Sequence, residues 1–212
     1  MKSMPSGKFI TIEGGEGAGK STNISFIKKN LEQYGFEVVV TREPGGTPLS
    51  EHLREILLDK NETKMSSDAE LLLMFAARAQ HLTEVILPAI QQGKWVVCDR
   101  FTDATYAYQG GGRGIAFERI AILEDWVQGD MRPDMTIIFD LPVDVGLSRA
   151  GSRSEPDRFE QENIDFFTRV RNAYLERANK NPERYAIVDA EPELHVVQQN
   201  LVKILDTLVN QS

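Results

Sequence analysis

The chain of 212 residues is 41% hydrophobic and 26% charged, values close to globular norms, and it is long enough for one domain with a three-layer core. With 24 basic and 32 acidic residues its net charge is −8, so the surface as a whole repels nucleic acid and anionic membranes, and any phosphate must be captured in a local basic pocket. The lone Cys98 excludes an internal disulfide and a cysteine-based zinc site, no apolar run has the length of a membrane span, and residues 1–7 lack a signal peptide's hydrophobic core, so the expectation is a cytoplasmic protein with a flexible tail, 1–7, ahead of a single domain, 8–212.

Phe9-Ile10-Thr11-Ile12 reads as a strand, and Gly14-Gly15-Glu16-Gly17-Ala18-Gly19-Lys20-Ser21 follows at once. The stretch fits G-x-x-x-x-G-K-[ST], the P-loop, whose glycines let successive backbone N–H groups turn inward around a nucleotide's phosphates. Lys20 then reaches the β- and γ-phosphates of ATP, and the Ser21 hydroxyl a Mg²⁺ ion. Ile24, Ile27, Leu31 and Tyr34 recur at helical spacing, so the loop opens a helix whose N-terminal dipole faces the same phosphates, with Thr22 in its first turn.

A second strand is predicted over Glu37–Thr41, and Arg42-Glu43-Pro44-Gly45-Gly46-Thr47-Pro48 leads from it into a helix with Thr47 as N-cap. Ser67-Asp68-Ala69-Glu70 has the form of a capping box, and Leu71, Phe75, Leu82 and Ile86 continue a helical stripe. Arg78 lies on that apolar side; either its stem packs on the core with its head in water, or it donates hydrogen bonds into a pocket. Trp95–Cys98 reads as a buried strand that ends at Asp99-Arg100, where the ligand crevice of an open parallel sheet opens. There Asp99 can hold Mg²⁺ or its water and Arg100 can fork onto a phosphate, unless the two form an internal ion pair.

In Phe101–Gly114 the residues Thr105, Tyr106, Tyr108 and Gln109 suit the reading of a flat base and a sugar, and the run of glycines equally suits a flexible surface loop. A helix over 116–129, a strand over Met135–Phe139 and a helix over Asp144–Ala150 follow. The polar stretch Gly151–Arg158 is a candidate lid, spanning about 150–160, on whose closure Arg149, Arg153 and Arg158 can bring cations onto a phosphate bridge and exclude water. Asp157 and Glu160 either cap the long helix carrying Phe166, Phe167, Val170 and Tyr174 or take part in the chemistry. A last strand, Arg184–Val188, and an amphipathic helix close the chain. Five strands alternating with helices predict an α/β P-loop NTPase fold in three layers, a parallel sheet with helices on both faces. His52, His81 and His195 show no metal spacing and are assigned no role.

Taken together, Ile12 to Ser21, Arg42-Glu43-Pro44-Gly45-Gly46-Thr47, Asp99-Arg100-Phe101, Ala107-Tyr108-Gln109-Gly110 and Asp157-Arg158-Phe159-Glu160 resemble the thymidylate kinase family, from Phe9 to the C-terminal helix. The resemblance implies transfer of the γ-phosphate of ATP to thymidine monophosphate (dTMP), with Mg²⁺, in a protein that is typically a homodimer. It implies that Arg100 grips the acceptor's phosphate with help from Arg42 and Glu43, that Arg78 hydrogen-bonds the thymine, and that Thr105 and Gln109 lie near the base. Tyr108 would crowd a ribose 2′-hydroxyl, and Glu16 and Asp99 would orient arginines and metal. The family carries its catalytic arginine in the P-loop or in the lid; here the loop has none, which points to Arg153. Many relatives place a base-stacking Phe four residues before the base-binding Arg, whereas here that position is Met74 and Phe75 stands three before; both share a helix side with Arg78, and either Phe75, by stacking, or Met74 covers the base. The remaining alternatives are another nucleotide or nucleoside kinase of this architecture and a nucleotide-switched binding protein of GTPase type, the latter disfavoured by the missing N-K-x-D motif.

Overall fold

The computed structural model describes residues 7–60, 65–151 and 158–210; the expected tail apart from Gly7, and most of the expected lid including Arg153 and Asp157, lie outside the described residues. Five strands, β1 (Phe9–Gly14), β2 (Val38–Arg42), β3 (Trp95–Asp99), β4 (Met135–Asp140) and β5 (Tyr185–Asp189), form one parallel sheet in the order β2-β3-β1-β4-β5. Period-2 alternation divides β1 between two cores. Ile10 and Ile12 join Val97, Ile137, Phe139 and Val188 on the face covered by α1 (Lys20–Gln33) and the C-terminal helix, Leu194–Asn210, through Ile24, Ile27, Leu31, Val197, Leu201 and Leu205. Phe9, Thr11 and Glu13 point to the opposite face.

That second face is covered by three stretches. The helix α2 (Pro48–Leu58), capped by Thr47 as predicted through a bond from Ser50 N at 3.1 Å, packs on α3 (Ser67–His81). The chain then passes through a π-helical turn at Leu82–Ile86 into α4 (Leu87–Gln91), seating Leu82, Ile86 and Ala89 on Phe9, Val96, Cys98 and Phe101. Cys98 is fully buried; its thiol donates to the Arg100 carbonyl at 3.0 Å, and burial pushes its pKa well above the usual thiol range. After β3, α5 (Thr102–Thr105) runs into a second π-helical stretch, Tyr106–Gly112, then α6 (Phe117–Gln128), α7 (Val143–Ala150), α8 (Ile164–Lys180) and α9 (Leu194–Asn210). The glycine-rich segment is therefore no surface loop. Gly111 and Gly112 lie so close to α8 that a Cβ at either would fall within 2.8 Å of Ala173 or 2.4 Å of Phe166.

Two local expectations change. The N-cap of α3 is Ser66, whose hydroxyl accepts from Ala69 N at 3.2 Å, so Glu70 is one residue past the capping-box position and faces the interior instead. Helix α8 begins at Ile164 with Asn163 as its cap, bonded from Phe166 N at 2.9 Å, so Glu160 does not cap it. Among the described residues no helix is long and apolar enough to cross a membrane.

Candidate active site

The register sets the site. Ile12 of β1 pairs with Asp99 of β3, which pairs in turn with Arg42 of β2, so the chain leaves three adjacent strands at one edge of the sheet. From β1 it turns at Gly14, with φ 132°, and closes against α7 at Gly17, where φ is 69° and a Cβ would sit 2.0 Å from the Gly146 carbonyl oxygen. Only glycine fits there. Gly17→Ala is expected to push the loop off α7 and weaken ATP binding by at least about tenfold, the change being read in an ATP titration of the folded variant. Helix α1 opens at Lys20 without a side-chain cap, so its first N–H groups point into the loop. The ammonium of Lys20 bends back onto the carbonyls of Gly14 (3.1 Å) and Gly15 (2.8 Å), and burial, with Arg100 adding to it, pushes its pKa down to about 8.

Arg100 is the one non-glycine position with positive φ, 67°, among the described residues. That strained backbone turns its side chain over the P-loop: Nη1 donates to Gly14 O (3.0 Å) and to the Tyr174 hydroxyl (3.2 Å), and Nη2 to Glu16 Oε1 (2.6 Å). Its guanidinium lies 4.8 Å from the Tyr108 ring centroid, and the Tyr108 hydroxyl donates to the same Glu16 oxygen at 2.7 Å. Burial works to raise the Glu16 pKa, but Arg100 and Lys20 outweigh it and hold the carboxylate down to about 2. Beneath them Glu13 accepts from Phe101 N and Tyr174 OH, both at 2.7 Å, and burial followed by the charge of Asp103 raises its pKa to about 8. Arg100 and Asp99 do not form the internal ion pair considered from the sequence; the partner of Arg100 is Glu16.

A cavity of roughly 270 Å³ runs from the P-loop across to α3, lined by Glu16 to Ser21, Arg42, Glu43, Met74, Arg78, Asp99, Arg100, Thr105, Tyr108, Gln109, Phe159 and Glu160. Arg78 is 2% exposed. Its Nε donates to Glu43 Oε2 (2.7 Å) and Nη2 to Thr105 Oγ1 (3.0 Å), while Nη1 is buried with no hydrogen-bond partner. His81, one turn on, is hydrogen-bonded to the other Glu43 oxygen (2.9 Å) and to Thr41 (2.6 Å), locking the carboxylate that holds Arg78.

Phe75 is placed in the core with Leu71, Tyr106, Ile115 and Ile120 and does not line the cavity; it supports Arg78 from below, 4.7 Å from ring centroid to guanidinium, while Met74 forms the wall. Arg42 is on the exposed rim, paired with Glu51 at 2.8 Å. Thr22 does not line the cavity, and Arg149 reaches away from it to the carbonyls of Ala190 (3.0 Å) and Glu191 (3.1 Å). Glu13, Tyr174 and His81 were missed from sequence; the one available signal was the i, i+3 spacing of Arg78 and His81 on one helix face. Among the described residues no three His, Cys, Asp or Glu side chains gather as a metal cage. A Mg²⁺ shared with a nucleotide's phosphates nevertheless fits, because Asp99 Oδ1 is buried without a partner on the same cavity as Ser21.

A P-loop at the first strand-to-helix turn, with a polar wall facing it across one cavity, defines a P-loop phosphotransferase. The family model for thymidylate kinase matches residues 12–201, and the chain belongs to the thymidylate kinase family. It is 58% identical over 206 residues to a thymidylate kinase of Pseudomonas putida F1, covering 97% of this chain and 98% of that one. To a thymidylate kinase of Pseudomonas syringae pv. tomato it is 60% identical over 203 residues, covering 96% and 97%. A crystal structure of thymidylate kinase from Ehrlichia chaffeensis superposes with a TM-score of 0.78 at 36% identity, covering 95% of this chain and 99% of that one.

Proposed function

We propose that the protein transfers the γ-phosphate of ATP to dTMP, giving dTDP and ADP for dTTP synthesis, as a single cytoplasmic domain. An oxygen of the acceptor's phosphate attacks the γ-phosphorus while the bond to the β–γ bridging oxygen breaks. The attacking oxygen is already ionised, so no general base is needed and catalysis reduces to positioning and charge neutralisation. The P-loop amides and Lys20 hold the β- and γ-phosphates; Arg100, steered by Glu16, holds the acceptor's phosphate beside Arg42 and Glu43. Ser21, with Asp99 beside it, would hold a Mg²⁺ ion, which would supply Lewis-acid neutralisation of the phosphates. Arg153 supplies the lid's cation.

The observation that carries the acceptor is Arg78 Nη1, a buried, unpaired donor in a wall with Thr105, Gln109 and Tyr108, as a carbonyl-bearing base needs. A homodimer is supported by exposed Leu72 on α3 and Ile122 and Trp126 on α6, the last 80% exposed, since these helices pack side by side. The test is ADP release from Mg·ATP with thymidine, deoxyuridine, deoxycytidine, uridine, adenosine and guanosine monophosphates, free thymidine, and water. At least about a tenfold preference in kcat/KM for dTMP is expected; preference for another monophosphate overturns the base site, and turnover with water alone overturns the kinase.

A further inference from the structure

Glu70 sits on α3 two turns ahead of Arg78 and is 1% exposed, yet it lines no part of the cavity. Its Oε1 accepts from Gln109 Nε2 (2.7 Å) and Arg113 Nε (3.3 Å), and its Oε2 from Arg158 Nη1 (2.6 Å). Two of the three partners are guanidiniums, which only donate, so the group they surround is an ionised carboxylate that only accepts. Toward such a neighbour the carboxamide of Gln109 has one orientation: its NH₂ faces Glu70, which leaves its carbonyl oxygen as the end offered to the cavity that Gln109 lines. With a neutral neighbour that both donates and accepts, the amide could turn over at little cost.

Across the same wall Arg78 offers the opposite polarity, because Glu43 and Thr105 occupy its Nε and Nη2 and leave Nη1 as a free donor. One donor and one acceptor on the wall of one cavity complement a pyrimidine edge with a carbonyl at C4 and an N–H at N3. Thymine and uracil have that edge; cytosine inverts it, with an amino donor at C4 and a bare acceptor at N3. We infer that Glu70 is a specificity-determining positioning residue: by fixing the Gln109 amide it sets the base wall against 4-aminopyrimidines, although it touches no substrate. The inference rests on the acceptor reading above and deepens it. A site whose polar groups are committed in advance rejects a mismatched edge because the buried groups are left unpaired.

The distinguishing quantity is a ratio of acceptors, since loss of the ties to Arg113 and Arg158 depresses all acceptors together. In Glu70→Gln the preference for dTMP over dCMP in kcat/KM is expected to fall about tenfold, the Arg78 half of the readout remaining, while the preference for dTMP over dUMP, which share the edge, stays within about twofold. Gln109→Met should lower the dTMP-to-dCMP preference likewise, and adding Glu70→Gln to it should lower that preference no further. An unchanged dTMP-to-dCMP ratio in Glu70→Gln, an equal loss on all three acceptors, or an additive further fall in the double variant overturns the role of Glu70. Should Glu70→Gln not fold, the ¹⁵N spectrum of the unaltered protein decides: the Gln109 amide protons, facing Glu70, should hold their shifts as dTMP is titrated in, and a shift as large as that of the Arg78 Nη protons overturns the assignment. A wild-type enzyme that does not prefer dTMP defeats the acceptor reading beneath it and is recognised before any variant is made.

Discussion

Replacing Lys20 by alanine is expected to lower kcat about a thousandfold while leaving the melting temperature within a few degrees of wild type. The ammonium sits inside the P-loop, satisfied in the free protein by the carbonyls of Gly14 and Gly15, and must leave them for the phosphates when ATP arrives. Alanine removes the charge that neutralises the transferring group, and the loop's own shape, set by Gly14 and Gly17, survives. The same group sets a pH limit. Its pKa in the free protein is depressed to about 8, so it is protonated below and neutral above, and kcat/KM for ATP should decline as pH rises past about 8. Bound phosphates favour the ammonium and move that limb upward, so kcat should stay flat to higher pH. Glu13, whose pKa is also raised to about 8, is separated by Glu13→Gln, which should retain the limb. Near-wild-type turnover in Lys20→Ala, measured as steady-state ADP release, would remove Lys20 from the mechanism.

The largest loss of stability is expected at Asp103. This carboxylate is 1% exposed and accepts from Arg177 Nε (2.6 Å), Tyr185 OH (2.6 Å), Arg184 Nη1 (3.2 Å) and Thr136 Oγ1 (3.3 Å). Asp103→Ala leaves two partly buried guanidiniums unpaired, a change that costs about 3–5 kcal/mol and corresponds to about 10 °C in the melting temperature of a chain this size. Adding Arg177→Met, which removes one orphaned charge, should return part of that loss. Burial favours the neutral acid, but Arg177 and Arg184 outweigh it and the pKa is lowered. The stabilisation is therefore present above the ordinary aspartate pKa and is lost as pH falls through the depressed one, so wild type and variant should converge in acid. Melting curves at neutral and acidic pH check both statements, and a neutral-pH difference under about 2 °C counts against the network.

The P-loop could be read because its chemistry is local: eight contiguous residues specify a backbone shape and a cation. Strand positions were equally legible, since parallel strands are short β-branched runs, such as Val38-Val39-Val40 at the edge of the sheet and the buried pair Ile137-Ile138. The opposite wall depends on contacts between elements far apart in sequence. Arg78 was visible as a cation on an apolar stripe, but that Glu43, held by His81, aims it required the fold. Phe75 and Met74 were indistinguishable at i, i+3 and i, i+4, and packing of α3 on α6 decided between them. Phe101–Gly114 looked like loop because glycines usually mark turns; there they admit α8 at close range instead. Glu70 fitted a capping pattern by spacing alone, a single-residue shift in the cap having changed which way it faces.

Cys98 bears on how the molecule can be studied. It is the only sulfhydryl in 212 residues, it is sealed in the core on β3 itself, and its raised pKa keeps the nucleophilic thiolate scarce at neutral pH. Alkylating and maleimide reagents should leave the native protein unmodified, so one cysteine introduced on the surface would be the sole attachment point for a fluorophore or spin label. With two such cysteines, one within residues 150–160 and one on α2, the distance between their labels could be followed through a catalytic cycle in a protein whose own thiol never had to be removed.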